Sequence, residues 1–177
     1  MNTTFERVKK EDGGTNEWLT PPQIIKALGE FDLDPCAPVT RPWDMAKKHY
    51  TIKDDGLLLP WEGRVWCNPP YGDEAKYWLA KCARHGNCIA LTFARTETRM
   101  FFESVWPKAH AMLFFQGRLK FHRVTGEPGD SAGAPSVLIA YDQANAEALA
   151  NSGLAGKLVY PNVPSTVESS LPIKAEN

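Results

Sequence analysis

Residues 88–94, Cys-Ile-Ala-Leu-Thr-Phe-Ala, constrain the fold more than any other part of the chain. The run carries no charge and is bounded by Gly86-Asn87 before it and Arg95 after it. A strand with one wet face alternates apolar and polar residues, whereas a short continuous apolar run reads as a strand covered on both faces. Covering both faces needs helices on each side of a sheet, so strands should alternate with helices along the chain.

The rest of the chain meets that expectation. Thr20-Pro21-Pro22-Gln23 reads as a helix start, with Thr20 as N-cap, Pro21 at the first helical position and Gln23 closing a capping box. This helix should run to Leu28 and end at Gly29. A short strand over 31–34 is stopped by Pro35. Residues 35–60 are mostly irregular, with a short strand over 48–52, and a loop of that length in a small domain is usually functional. Strands are expected over 64–67, 88–94 and 111–115, with 119–121 as an edge extension, and helices over 73–84 and 98–105. Residues 123–135, with several glycines and Pro128 and Pro135, read as an exposed loop. An antiparallel strand over 136–141, a helix over 143–150 and a last edge strand over 158–160 complete the chain. The expected fold is an α/β sheet, mostly parallel, with an antiparallel closing strand. Residues 1–15 read as a flexible N-terminus, 16–160 as a single domain and 161–177 as an extended tail.

At 177 residues, 43% of them hydrophobic and 23% charged, the chain can build one good core. No run approaches the roughly 20 apolar residues of a membrane span, and the first residues lack the apolar centre of a signal peptide. A cytoplasmic protein with no membrane association is expected, and no obligate protein partner is evident. The four cysteines, Cys36, Cys67, Cys82 and Cys88, form no C-x-x-C pair. Cys82, His85 and Cys88 are evenly spaced, but a helix end running into a buried strand explains them better than a metal site, and no metal is expected. The net charge of −1 hides a basic segment. Between residues 76 and 123, nine lysines and arginines face only Glu97 and Glu103. Lys76, Lys81 and Arg84 read as a solvated helix face. Arg118, Lys120, His122 and Arg123 are dense, adjoin a glycine-rich loop and suit a polyanion.

The chemistry concentrates at Asn68-Pro69-Pro70-Tyr71, a loop between a strand and a helix, at the end of an open sheet where ligands bind. The Asn68 side-chain oxygen can accept one hydrogen of a planar amino group, and the Pro69 carbonyl can accept the other. Tyr71 can stack on the flat ring that carries the amine. With both hydrogens held, the nitrogen lone pair points out of the plane toward an electrophile. A Pro-Pro pair between a strand and a helix is also an ordinary turn, so the context must decide.

That context is a series of motifs in order: Trp18-Leu19-Thr20-Pro21-Pro22, Asp32-Leu33-Asp34-Pro35-Cys36-Ala37, Asp54-Asp55-Gly56-Leu57 with Trp61, and Trp66-Cys67-Asn68-Pro69-Pro70-Tyr71-Gly72. Gly117-Arg118-Leu119-Lys120-Phe121 and Pro135-Ser136-Val137-Leu138 follow. Over roughly residues 16–142 the chain resembles the phage-type DNA N-6-adenine methyltransferases, the Dam family of phages and prophages. The resemblance implies a Rossmann-like sheet that binds S-adenosylmethionine, methyl transfer to the N6 amine of adenine in DNA, and rotation of the base out of the duplex.

It implies that Asn68, Pro69, Pro70 and Tyr71 grip the target amine. For the cofactor it implies Asp34, with Pro35, Cys36, Ala37 and Asn68, the segment Trp18, Thr20 and Pro21 closing over the methionine end, and Asp54 or Asp55 at the ribose. Trp43 joins Trp18 near the pocket mouth. Arg41, Lys47, Lys48, Arg118, Lys120 and Arg123 would meet DNA. The chain departs from many methyltransferases at Cys36-Ala37-Pro38, where a Gly-x-Gly turn is common. Methylation of RNA or of protein glutamine by the same grip, or a DNA-binding relative without catalysis, are the competing readings.

Overall fold

The computed structural model describes residues 17–162; the expectations for residues 1–15 and for the tail beyond 162 lie outside them. The elements run α1 (Pro22–Leu28), β1 (Leu33–Asp34), β2 (Lys48–His49), β3 (Val65–Cys67), α2 (Ala75–His85), β4 (Cys88–Phe93), α3 (Arg99–Ser104) and β5 (Ala111–Phe115). There follow β6 (Lys120–His122), β7 (Pro128–Ser131), β8 (Ser136–Ala140), α4 (Gln143–Asn151) and β9 (Gly156–Val159).

A seven-stranded sheet has the order β2-β1-β3-β4-β8-β5-β9. β1 pairs in parallel with β2 and β3, and β3 with β4. β8 is antiparallel to both β4 and β5, and β9 is antiparallel to β5. The first five strands therefore share one direction, while β8 is inserted against them and β9 closes the edge. The sheet is mixed, with two opposed strands rather than one.

The uncharged apolar run is the central strand β4, and its alternation assigns the two faces. Cys88 and Ala90 point into a core with Trp78, Leu79 and Cys82 of α2 and Phe101 of α3. Ile89 and Leu91 point the other way, onto Ile24 and Leu28 of α1 and Ala146 and Leu149 of α4. Cys88, Ile89, Ala90 and Leu91 are all fully buried, so both faces contribute transfer free energy, about 25 cal/mol per Å² of apolar surface.

Several local expectations change. Pro21, not Thr20, is the residue at the N-cap of α1, and no capping side-chain hydrogen bond is made there among the described residues. Thr20 is instead wholly buried with Oγ1 unpartnered among the described residues. Gly29 does end the helix, at φ 89, donating to Ile25 O. The strand expected over 48–52 stops at His49, because Thr51 N and Oγ1 both donate to Asp54 Oδ2 and turn the chain. Residues 120–122 do not extend the main sheet. They form a separate hairpin with β7, inside the segment expected to be loop.

Arg64 ties the carboxyl end of α1 to the amino ends of β3 and α4. Its Nε donates to Asn145 Oδ1 at 2.8 Å, and its Nη1 to Leu28 O and Glu30 O, each at 2.9 Å. Its guanidinium lies 4.3 Å from the Phe31 ring centroid. One side chain thus links the ends of α1, β3 and α4.

Candidate active site

The carboxyl ends of β1, β3 and β4 open on one edge of the sheet because these strands are parallel. After β1, Pro35 forces a turn. Tyr50 N donates to Asp34 O and Ala37 N to Tyr50 O, which pins residues 34–37 beside the end of β2. Asp34 is only 3% exposed, and its Oδ1 accepts from Cys36 N at 3.1 Å. Burial lifts its carboxyl to about 7, against the opposing pull of the Cys36 N–H and the charge of Arg41. The Cys36 and Cys67 sulfurs are 3.8 Å apart. They bring the turn after β1 against the end of β3, where Asn68 begins the next loop. Burial pushes both thiols well above their ordinary range, which makes them packing groups rather than nucleophiles.

Within that loop, Asn68 Nδ2 donates to Trp18 O at 3.5 Å, and its Oδ1 accepts from the Tyr71 hydroxyl at 3.3 Å. Both bonds are long, and only the one on Oδ1, from the Tyr71 hydroxyl, occupies the atom that would accept a hydrogen of an amino group. Pro69 is buried, and no donor among the described residues reaches its carbonyl. Tyr71 stacks on Phe93 with centroids 4.1 Å apart and planes 13° off parallel, and meets Phe121 edge-on at 6.0 Å. Burial, with Cys36 beside it, holds the Tyr71 phenol well above its usual range, so it stays neutral. One face of the ring expected to hold a base is therefore already covered by Phe93.

The β6–β7 hairpin folds over this edge. Leu19 and His122 exchange backbone hydrogen bonds at 2.8 and 2.9 Å, joining it to the segment before α1. A Cβ on Gly129 would lie 2.5 Å from the Trp18 ring, so only glycine lets the hairpin come so close. Trp43 packs edge-on against His122 at 5.2 Å, and His122 Nδ1 donates to Gly126 O. Trp18 and Trp43 thus both support the hairpin. Thr20 Oγ1 and Ser136 Oγ are buried here without a partner among the described residues. Ser136 shares a face with Phe93, its register partner.

Residues 51–60 flank the same sheet edge. A Cβ on Gly56 would fall 1.9 Å from Pro35 O, so this loop lies directly on the turn after β1. Asp54 caps its own turn through Thr51, which lowers its pKa, and Asp55 is exposed with φ 53. Lys81, expected on a solvated helix face, is half-buried and donates to the carbonyls of Gly56, Leu57 and Leu59.

The basic residues divide into two groups. Arg118, Lys120 and Arg123 are exposed on the hairpin and make no ion pair among the described residues. Arg41 is engaged inside its own loop, with Asp44 Oδ1 at 2.9 Å and Pro38 O at 3.1 Å. Lys47 pairs with Glu30 and Asp32, and Lys48 lies over the Tyr50 ring. Lys47 and Lys48 face the amino ends of β1 and β3, beside a cavity of about 240 Å³ lined by Asp32, Lys48, Glu62 and Gly63. That is the opposite end of the strands from Asn68. Of the evenly spaced Cys82, His85 and Cys88, the cysteines are buried while His85 Nε2 donates to Gly63 O. Among the described residues no three His, Cys, Asp or Glu side chains gather as a metal site.

The residues fit S-adenosylmethionine at two points. A buried carboxyl held by one N–H suits an ammonium, and an unpartnered buried hydroxyl at Thr20 lacks the hydrogen bond that a polar ligand supplies. Sequence reasoning missed Phe93, Phe121 and Lys81. The alternation of apolar Leu119 and Phe121 with Arg118 and Lys120 was the available signal for Phe121. No curated protein and no solved structure matches the chain. Residues 7–153 match the family described as DNA N-6-adenine-methyltransferase (Dam), which is most of the 177 residues. The chain belongs to the DNA N-6-adenine-methyltransferase (Dam) family.

Proposed function

We propose that this protein moves a methyl group from S-adenosylmethionine to the exocyclic N6 amine of adenine in DNA, after the base has left the duplex. The observation that carries this reading is the contact of two loops at one sheet edge. The turn holding buried Asp34 meets the loop holding Asn68 through the 3.8 Å approach of Cys36 and Cys67. A site for a cationic ligand and a grip for an amino group are then neighbours.

In this reading S-adenosylmethionine supplies an electrophilic methyl carbon. Asp34 receives the ammonium of the methionine end, with Thr20 above it and Asp54 or Asp55 toward the ribose. The small residues Cys36 and Ala37 serve where other enzymes use glycine. Asn68 Oδ1 and Pro69 O each accept one hydrogen of the adenine amine, which aims the lone pair out of the base plane. The proton leaves N6 after the methyl arrives, so no strong base is required. Phe93 and Tyr71 form a rigid aromatic stack against which the rotated base packs. The hairpin charges Arg118, Lys120 and Arg123 hold the phosphates.

The test is transfer of labelled methyl from S-adenosylmethionine to unmethylated duplex DNA, with nucleoside analysis by mass spectrometry. N6-methyladenine is expected. Label in RNA or in protein glutamine would reassign the substrate, and DNA binding without any transfer would mean an inactive relative.

A further inference from the structure

Lys81 is half-buried, with its ammonium turned onto the protein's own backbone. It lies on α2, the helix that follows the Asn68–Tyr71 loop, and its ammonium donates to Gly56 O at 3.2 Å, Leu57 O at 3.0 Å and Leu59 O at 2.5 Å. Three donors meet three carbonyls, so its hydrogen-bonding capacity is filled. It makes no ion pair among the described residues. Its charge also lies 4.8 Å from the Trp61 ring centroid, and Trp61 Nε1 donates to Gly56 O at 2.8 Å. The carbonyls of a loop rarely converge on one point without a cation to hold them there. On its other side the same loop abuts Pro35 O so closely that Gly56 has no room for a Cβ.

We propose that Lys81 is a positioning residue for the methyl donor: its ammonium sets the course of residues 56–59, and so holds Asp54 and Asp55 against the turn that follows Asp34. It acts through the loop and does not touch the reacting atoms. A lysine suits this task because a compact ammonium addresses converging carbonyls better than the flat fork of arginine, which keeps the charge but not the geometry. Partial burial, and then the charge of Arg84, pull the Lys81 pKa down. The inference rests on the reading of Asp54 or Asp55 as a cofactor contact.

The test is steady-state kinetics of Lys81→Met, which keeps the apolar stem and removes the donors. The KM for S-adenosylmethionine should rise on the order of tenfold, the loss expected for charge-assisted hydrogen bonds. The kcat and the KM for DNA should stay within about twofold. Lys81→Arg should show a smaller rise, and it carries the test if Lys81→Met does not fold. Added propylammonium should lower the raised KM of Lys81→Ala. An unchanged KM for S-adenosylmethionine in a folded variant overturns the inference, as does an equal loss in all parameters with a lowered melting temperature. Asp54→Asn and Asp55→Asn separate the two levels. If both leave that KM unchanged, the cofactor role of the loop fails and the inference with it. If either raises it and Lys81→Met does not, the inference alone fails.

Discussion

Asp34 concentrates the electrostatics of the site in one carboxyl. Its folded pKa of about 7 stands above the ordinary 3.8, so between those values the folded chain holds more protons than the unfolded chain. The sign follows: its contribution to stability is fully present below about pH 4 and is lost as pH rises through 7. An ammonium ligand needs the ionised form, so affinity for S-adenosylhomocysteine should climb as pH rises through 7 and then level. Asp34→Asn should flatten that slope and weaken binding roughly a hundredfold. Titration calorimetry from about pH 5.5 to about pH 8.5 checks this, and an unchanged slope in the variant would remove Asp34 from the ligand. Gly56→Ala should cost about 2 kcal/mol or more in thermal or denaturant unfolding, because its Cβ would overlap Pro35 O. Asn68 and Asp34 could be found in the sequence because each stands at a strand end before a proline. Phe93 could not, since an aromatic in an apolar strand reads as core. Lys81 could not either, because helical periodicity does not record what crosses over a helix.

At the level of elements, the β6–β7 hairpin and the Arg64 junction divide function from stability. Arg118, Lys120 and Arg123 are exposed without ion pairs among the described residues, so each change to alanine should reduce the slope of log K against log salt by about 0.9. Fluorescence anisotropy with duplex DNA at several salt concentrations measures this, and an unaltered slope would place DNA elsewhere. Arg64→Met should instead lower unfolding free energy by about 2 kcal/mol or more, since it strands Asn145 Oδ1 and two carbonyls. Urea unfolding reads it; a change within about 0.5 kcal/mol would contradict the junction. The long apolar or periodic elements, β4, β5, β8 and α2, were readable from pattern. β7 was not, because Pro-Gly-Asp-Ser has the composition of a turn and becomes a strand only through its partner. The cap at Thr20 failed for a related reason: its hydroxyl is drawn into the core rather than to the first turn of α1.

Across the whole molecule, the parallel run β2-β1-β3-β4 brings three loops distant in sequence to one edge, and the hairpin between β5 and β8 returns to cover it. The strand types anticipated this architecture. They could not show β8 inserted between β4 and β5, because pairing partners are chosen by long-range packing and not by local propensity. The edge should work as one site with separable halves, a donor half at Asp34 and an acceptor half at Asn68. The most direct measurement compares Asn68→Ala with the parent for S-adenosylhomocysteine binding and for the single-turnover rate of adenine methylation at saturating DNA. Binding within about threefold of the parent, with methylation slower by about a hundredfold or more, is the predicted result. Methylation at the parental rate would contradict the role of Asn68 and with it the assignment of the loop.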